Sequence, residues 1–307
     1  MSHKPSVVFF GNEKIATGVT KSDLPTLHLL VDKGYQIDAI FTPQKRTSSR
    51  NEREFEVTKF AQKYKIPIYT EYTQDELFTI LNKLPASIAI LVAYGRIIPQ
   101  SIIDHFKHGI INIHPSLLPQ YRGSTPIETA ILDGIDVTGV SIMQLVDKMD
   151  AGPVYVQKKI SINDNETKQE LSNRLGLLGA NLLIENMEFI INKDLQPQAQ
   201  KNNPSICNKI SKEDGNIDTS KSAQQILREI RAYSGWPKSH LRHKHTDLII
   251  LSARLSEIVS DTHKLSIVDN KLILQCNESS LEITSIQIPG KMPMDATSFI
   301  NGYKNII

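Results

Sequence analysis

Over roughly its first 200 residues the chain alternates short β-rich runs with stretches of helical period, and no other feature restricts its fold as much. Ser6–Phe10 reads as a strand closed by Gly11. Asp23 is placed to cap a helix carrying Leu24, Leu27 and Leu30 that stops at Gly34. Gln36–Phe41, Ile66–Tyr69, Ser87–Val92 and Gly109–Ile113 follow as strands, with helices expected over Phe55–Lys65, Gln74–Leu84 and Pro99–Phe106 between them. Ser87–Val92 is apolar on both faces, as a strand inside a parallel sheet must be. This alternation specifies an α/β fold: a doubly wound, mostly parallel sheet with helices on both faces.

From Thr138 to Ile162 the pattern changes to two extended runs broken at Asp150-Ala-Gly-Pro153, the mark of antiparallel strands at one sheet edge. Thr167-Lys-Gln-Glu170 is a capping box that opens a long helix with Leu171, Leu175, Leu178 and Leu182 on one side. The polar, proline-punctuated Gln196–Pro204 reads as a domain boundary, which divides the chain into residues 1–206 and 207–307. Beyond it a helix over Ser222–Tyr233 precedes β runs at Asp247–Leu255, Lys264–Val268, Lys271–Gln275 and Ser280–Ile288, with Asp269-Asn270 as a hairpin turn. About five strands are too few for two packed sheets and fit a small β-barrel.

Composition removes whole classes of function. A net charge of +2 excludes a polycation, and 40% hydrophobic residues exclude a disordered chain. The longest wholly apolar run of the first half, Ile88–Ala93, has six residues, where a spanning helix needs about 20. No cleavage-site pattern follows Val7-Val-Phe-Phe10, and two cysteines, Cys207 and Cys276, cannot build a disulfide framework. The expectation is a cytoplasmic, monomeric protein of two domains with no membrane partner.

Chemistry-bearing residues concentrate between Gly109 and Pro153. Gly11-Asn-Glu-Lys-Ile-Ala16 lacks the second and third glycines of a dinucleotide fingerprint, so a strand-to-loop turn is the better reading there. Asn112 and His114 lie two apart at the end of a buried strand and so share a face. From His114 a loop with three prolines, Pro115 among them, and one glycine runs to Ile127, and Asp150 arrives from a separate strand end. An amide, an imidazole and a carboxylate suffice for acyl transfer without a protein nucleophile. Asn and His can hydrogen-bond an oxyanion while the carboxylate keeps the imidazole charged and oriented. Singly, each has a plainer reading: Asn112 bonding loop amides, His114 a core histidine on a carbonyl, Asp150 the start of a turn.

Residues 112–127, Asn-Ile-His-Pro-Ser-Leu-Leu-Pro-Gln-Tyr-Arg-Gly-Ser-Thr-Pro-Ile, resemble the signature of the 10-formyltetrahydrofolate-dependent formyltransferase family. Asp147-Lys-Met-Asp150-Ala-Gly-Pro153 resembles its acidic loop, and Val92-Ala-Tyr-Gly-Arg-Ile-Ile-Pro99 the segment whose backbone holds the pteridine. The resemblance implies a Rossmann-like catalytic domain with Asn112, His114 and Asp150 as the catalytic set and no metal. It implies 10-formyltetrahydrofolate as co-substrate, with contacts from Ala93, Tyr94, Gly95, Arg96, Ile97 and Ile98. Further folate contacts would come from Ser116, Leu117, Leu118 and Pro119 of the loop running to Gly123. Residues 209–307 resemble the OB-like tail of methionyl-tRNA formyltransferases, through Lys209–Asp218, Ile230–Pro237, Ile288–Met294 and Phe299–Tyr303. The implied acceptor is the amino group of methionyl initiator tRNA, formylated for translation initiation. One departure stands out: the family commonly has Gly-Thr-Pro where this chain has Gly11-Asn-Glu13.

Two basic clusters bear on the acceptor. Lys45, Arg46, Arg50 and Arg53 follow the second strand; Lys238, Arg242 and Lys244, interleaved with His240, His243 and His245, precede the first long strand of the barrel. By charge alone each run reads as a solvated loop. The resemblance implies tRNA contacts, with Arg46 foremost because guanidinium grips phosphate bidentately. The three histidines lack neighbouring cysteine or carboxylate ligands, so no metal site is expected. An amino-sugar nucleotide formyltransferase and an RNA-binding protein with a silent catalytic fold are the competing readings.

Overall fold

The computed structural model describes residues 4–19, 21–43, 56–201, 203–258 and 265–307. They form two compact units, one of Met1–Pro126, Val137–Ser161 and Leu171–Asn208, the other of Ile127–Asp136, Ile162–Glu170 and Lys209–Ile307. In chain order the first part contains β1 (Val7–Gly11), α1 (Pro25–Asp32), β2 (Ile37–Phe41), α2 (Glu56–Tyr64), β3 (Ile68–Tyr69), α3 (Gln74–Leu81) and β4 (Ile88–Val92). It continues with α4 (Gln100–Ile103), β5 (Ile110–His114), α5 (Pro126–Asp133), β6 (Val137–Gln144), β7 (Val154–Ser161) and α6 (Lys168–Ile191).

The seven strands pair in the order β3-β2-β1-β4-β5-β6-β7. β1 to β5 run parallel, and β6 and β7 join antiparallel, as the break at Asp150–Pro153 led one to expect. The chain winds from β1 out to β3, returns to β4 and winds the other way. Between β1 and β4, therefore, the crossovers diverge and leave a crevice at the carboxyl ends of the strands. Every residue of β1 is buried, and Phe10 stacks on Phe41 at 5.3 Å while meeting Tyr94 edge-on. Each such ring contributes about 1.5–3 kcal/mol by leaving water.

Local details depart from expectation in three places. The helix foreseen over Pro99–Phe106 is a single turn, with Pro99 at its N-cap. α1 is capped not by Asp23 but from a distance. Leu24 sits at the N-cap with φ 50° and no side-chain bond, and the carboxylate of Glu13 accepts the amides of Thr26 and Leu27 at 2.9 Å each. α5 begins at Pro126, inside the end of the loop read as running to Ile127, and continues through Asp133, where no element was foreseen.

The second unit carries α7 (Ala223–Ala232), β8 (Ser239–His243), β9 (Thr246–Ser256), β10 (Leu265–Val268), β11 (Lys271–Gln275), β12 (Ser280–Gln287), β13 (Met294–Asp295) and α8 (Ala296–Tyr303). Its antiparallel sheet runs β10-β11-β12-β9-β8 with β13 on β12, the small barrel-like sheet of the expected fold class. Asp269 and Asn270 turn β10 into β11 with φ of 47° and 59°, as a tight hairpin requires. Ser222 and Gln225 close a capping box on α7, whose Ile226 and Ile230 share a core with Leu248, Leu272 and Phe299. β8 was not foreseen: Ser239, Leu241 and His243 are buried while His240 and Arg242 alternate outward. In the same unit the buried Lys168 lies 3.7 Å from the buried Glu128 and donates to the Trp236 carbonyl at 2.7 Å. No described helix is long and apolar enough to cross a membrane.

Candidate active site

β5 delivers Asn112 and His114 to one face of its carboxyl end, 6% and 4% exposed. Asp150, in the turn between β6 and β7, adopts a left-handed φ of 49°. Its Oδ2 accepts the Gly123 amide at 2.8 Å, and its Oδ1 lies 3.7 Å from His114 Nδ1, within ion-pair reach but too far for a hydrogen bond. His114 Nε2 lies 2.9 Å from the Tyr121 carbonyl, which can only accept, so Nε2 carries a proton. The side-chain amide of Asn112 makes no hydrogen bond to the described residues and is not among their fully buried unmatched atoms, so part of it still reaches solvent. The three residues singled out from the sequence are thus brought together, and one of them holds unused hydrogen-bonding capacity.

The loop after His114 is fixed by its own polar groups. Ser116 is fully buried, donates its amide to the His114 carbonyl and its hydroxyl to Gln120 O at 2.6 Å. Ser141 Oγ on β6 donates to Ser116 O and accepts Leu118 N, while Gln157 Nε2 on β7 reaches both Leu118 O and Ser141 Oγ. Ser116 and Leu118 therefore spend backbone groups on loop shape, while Leu117 and Pro119 are partly exposed.

After β4 the chain turns on two left-handed residues, Ala93 (φ 54°) and Gly95 (φ 73°). Tyr94 between them is buried, its hydroxyl 2.7 Å from that of Tyr72, and the Arg96 guanidinium lies over the Tyr72 ring at 5.4 Å. Gly95, Arg96 and Ile97 are exposed, Ile97 by 82%, and Ile98 returns to the core. Across the sheet's reversal point, Gly11 (φ 126°) presses against β4 so closely that a Cβ would lie 1.8 Å from Val92 O. Burial pushes the Glu13 carboxyl up to about 7, against the downward pull of its two amide bonds.

Of the basic residues, Lys45, Arg46, Arg50 and Arg53 lie outside the described residues. Lys238 bonds Gln287 at 3.2 Å, Arg242 pairs with Asp247 at 2.7 Å, and Lys244 donates to the Ile307 carbonyl. Among the described residues no group of three or more His, Cys, Asp or Glu side chains is arranged to hold a metal. Sequence reasoning missed the roles of Tyr121, which bonds Ser205, and of Ser141, Gln157 and Gln200, whose contacts likewise join segments far apart in the chain.

The sequence profile of the formyl transferase family matches residues 29–187, and that of the formyl transferase C-terminal domain matches residues 209–304. The methionyl-tRNA formyltransferase of Thermodesulfovibrio yellowstonii is 32% identical over 302 residues, 97% of this chain and 96% of its own. Two solved structures share the fold. The N-formyltransferase of Helicobacter canadensis, solved with folinic acid and dTDP-3-aminofucose, has a TM-score of 0.69 at 20% identity, covering 91% of this chain and 98% of its own. HypX of Aquifex aeolicus in complex with tetrahydrofolic acid has a TM-score of 0.66 at 16% identity, covering 96% of this chain and 46% of its own. With both halves of the chain matched in order and a curated relative aligned almost end to end, this chain belongs to the formyl transferase family.

Proposed function

We propose that the chain transfers the formyl group of 10-formyltetrahydrofolate to the amino group of methionyl initiator tRNA, in the cytoplasm, with Asn112, His114 and Asp150 as its catalytic residues. The observation that carries this reading is the unpartnered Asn112 amide beside a His114–Asp150 pair, at the end of a strand in a chain of this family. The neutral amine attacks the formyl carbon, and the carbonyl oxygen becomes an oxyanion. Collapse breaks the bond to N10, which takes up a proton as the amine gives one up. Asn112 donates to the oxyanion, and the formyl oxygen displaces the Tyr121 carbonyl from the Nε2 proton of His114. Asp150, 3.7 Å from Nδ1, orients the imidazole from the opposite side of the ring. Folate lies against Ala93, Tyr94, Gly95, Arg96, Ile97 and Ile98 and the Ser116–Pro119 turn.

For the acceptor, residues 1–206 serve as the catalytic domain and residues 207–307 as a tRNA-binding domain. Lys45, Arg46, Arg50, Arg53, Lys238, Arg242 and Lys244 are the phosphate contacts, the last three exchanging their present partners for phosphate. Purified protein given 10-formyltetrahydrofolate and either charged initiator tRNA or a nucleotide-linked amino sugar tests the reading. Formylation of the tRNA, inhibited steeply by salt, is expected; formylation of the sugar alone would transfer the chain to the other branch of its family.

A further inference from the structure

The stretch Gln196–Pro204, read from the sequence as a domain boundary, and the residues just after it bond both chemistry-bearing loops through Gln198, Gln200, Ser205 and Cys207. At one end Val154 and Gln198 exchange backbone hydrogen bonds of 2.8 Å in each direction. At the other, Arg122 N donates to Ser205 O, Cys207 N donates to Arg122 O, and Ser205 Oγ accepts Tyr121 N at 2.7 Å. Between these anchors sits Gln200. Its Nε2 donates to the carbonyls of Asp150 and Gly152, both at 2.8 Å, and its Oε1 accepts Arg122 Nε at 3.0 Å and Nη2 at 2.6 Å. Both hydrogens and both lone pairs of the amide are engaged, so its orientation has no alternative of equal energy.

Two features of the Asp150 turn give those bonds a purpose. Asp150 holds a left-handed φ that a non-glycine residue keeps only where its surroundings impose it. Gly152 is pressed so close to β6 that a Cβ would lie 1.9 Å from Gln144 O, so the turn is clamped on one side by packing. Gln200 clamps the other side, and through Arg122 it fixes that side to the loop whose Gly123 amide and Tyr121 carbonyl hold Asp150 and His114.

We infer that Gln200 is a positioning residue for formyl transfer: by joining Arg122 to the Asp150 and Gly152 carbonyls, it sets where the Asp150 carboxylate stands relative to His114. This rests on the assignment of Asn112, His114 and Asp150 given above. Gln200 touches none of the reacting atoms. Its loss shifts the carboxylate and leaves the folate-facing segment after β4 unchanged.

The experiment compares Gln200→Leu, Gln200→Glu and Asp150→Ala with the parent, reading kcat, KM for 10-formyltetrahydrofolate, the pH dependence of kcat and the thermal midpoint. Gln200→Leu should lower kcat on the order of 10- to 100-fold, the usual cost of displacing a catalytic group by about 1 Å. KM for folate should stay within about twofold, since uniform binding is not removed, and the pH profile of kcat should shift. Gln200→Glu retains the acceptor for Arg122 but sets an oxygen against two carbonyl oxygens. It should be as slow as Gln200→Leu while remaining folded, and it decides the matter if the leucine variant does not fold. Parental kcat in either variant, or a fall in kcat with the parental pH profile, overturns the inference. Full turnover in Asp150→Ala is a separate result: it removes the assignment of the site itself.

Discussion

Polar groups are used in opposite ways at the carboxyl end of the parallel sheet and on the surface of the second unit's sheet. At the sheet end, Glu13, Ser141, Asp150 and Gln200 hold main-chain amides or carbonyls away from solvent. On the surface, Arg242 meets Asp247 with both side chains more than half exposed, at 61% and 57%, and Arg254 meets Glu282 at 2.6 Å. A buried backbone group left unmatched costs about 1–3 kcal/mol, whereas an exposed ion pair is worth about 0–1 kcal/mol. The difference teaches where rigidity resides: main-chain bonding fixes the geometry of the strand end, and exposed surface pairs can change partners at little cost.

The sharpest way to break this comparison is at the strand end. Asn112→Ala should lower turnover about 100- to 1,000-fold with folding intact, the usual loss for a deleted oxyanion donor, and Asp150→Ala should be comparably slow because it leaves the His114 ring without its Nδ1-side anchor. Single-turnover formylation keeping more than half the parental rate in either would sink the assignment.

Next in size is Glu13→Ala, which strips two buried amides of their acceptor and should cost about 1–3 kcal/mol for each in urea unfolding. Its isostere Glu13→Gln sharpens the point through pH. The folded carboxyl, at about 7, lies above its ordinary 4.5, so its contribution to stability is complete below pH 4.5 and is lost as the pH rises through 7. The parent should therefore lose stability relative to Glu13→Gln between those values, with a constant difference above them. A parent that gains on the variant over that range would show the carboxylate to be the favoured form.

Smaller still, Arg242→Ala should change stability by about 0–1 kcal/mol at low salt and less at high salt. If Arg242 contacts phosphate, the slope of log affinity for tRNA against log salt should fall by about 1. An unchanged slope removes Arg242 from the interface. The least effect belongs to the cysteines: Cys207→Ser and Cys276→Ser should leave turnover as it was, since the proposed transfer passes through no covalent formyl-enzyme. Burial pushes the Cys276 thiol up to about 11, so alkylation of the folded protein at neutral pH should be slow, and rapid labelling would place that thiol outside the core.

Much of this was legible in the sequence because the signals were local. Strand alternation, the capping box of α6 and the Asp269-Asn270 turn each act over a few residues and stand where they were expected. The pairing of Asn112 with His114 followed from strand period alone, and their approach to Asp150 from the family resemblance. What escaped depends on contacts across sequence. The cap of α1 comes from Glu13, thirteen positions before Thr26, where Asp23 offered the nearer candidate. Ser239–His243 alternates buried and outward residues as a strand should, but its positive charge drew attention from its period. The chain from Gln196 to Pro204 is polar and proline-rich, which marks linkers and straps alike; only the bonds of Gln198, Gln200 and Ser205 tell them apart.

The assignment of α5 and residues 162–170 to the second unit has a consequence for the nascent chain. Glu128 and Lys168 leave the ribosome early, but the Trp236 carbonyl that takes the Lys168 ammonium follows 68 positions later. At synthesis rates of about 5–20 residues per second, that is a wait on the order of ten seconds. All seven strands of the first sheet are already made by then, so during that interval Lys168 has Glu128 within reach but not its carbonyl partner.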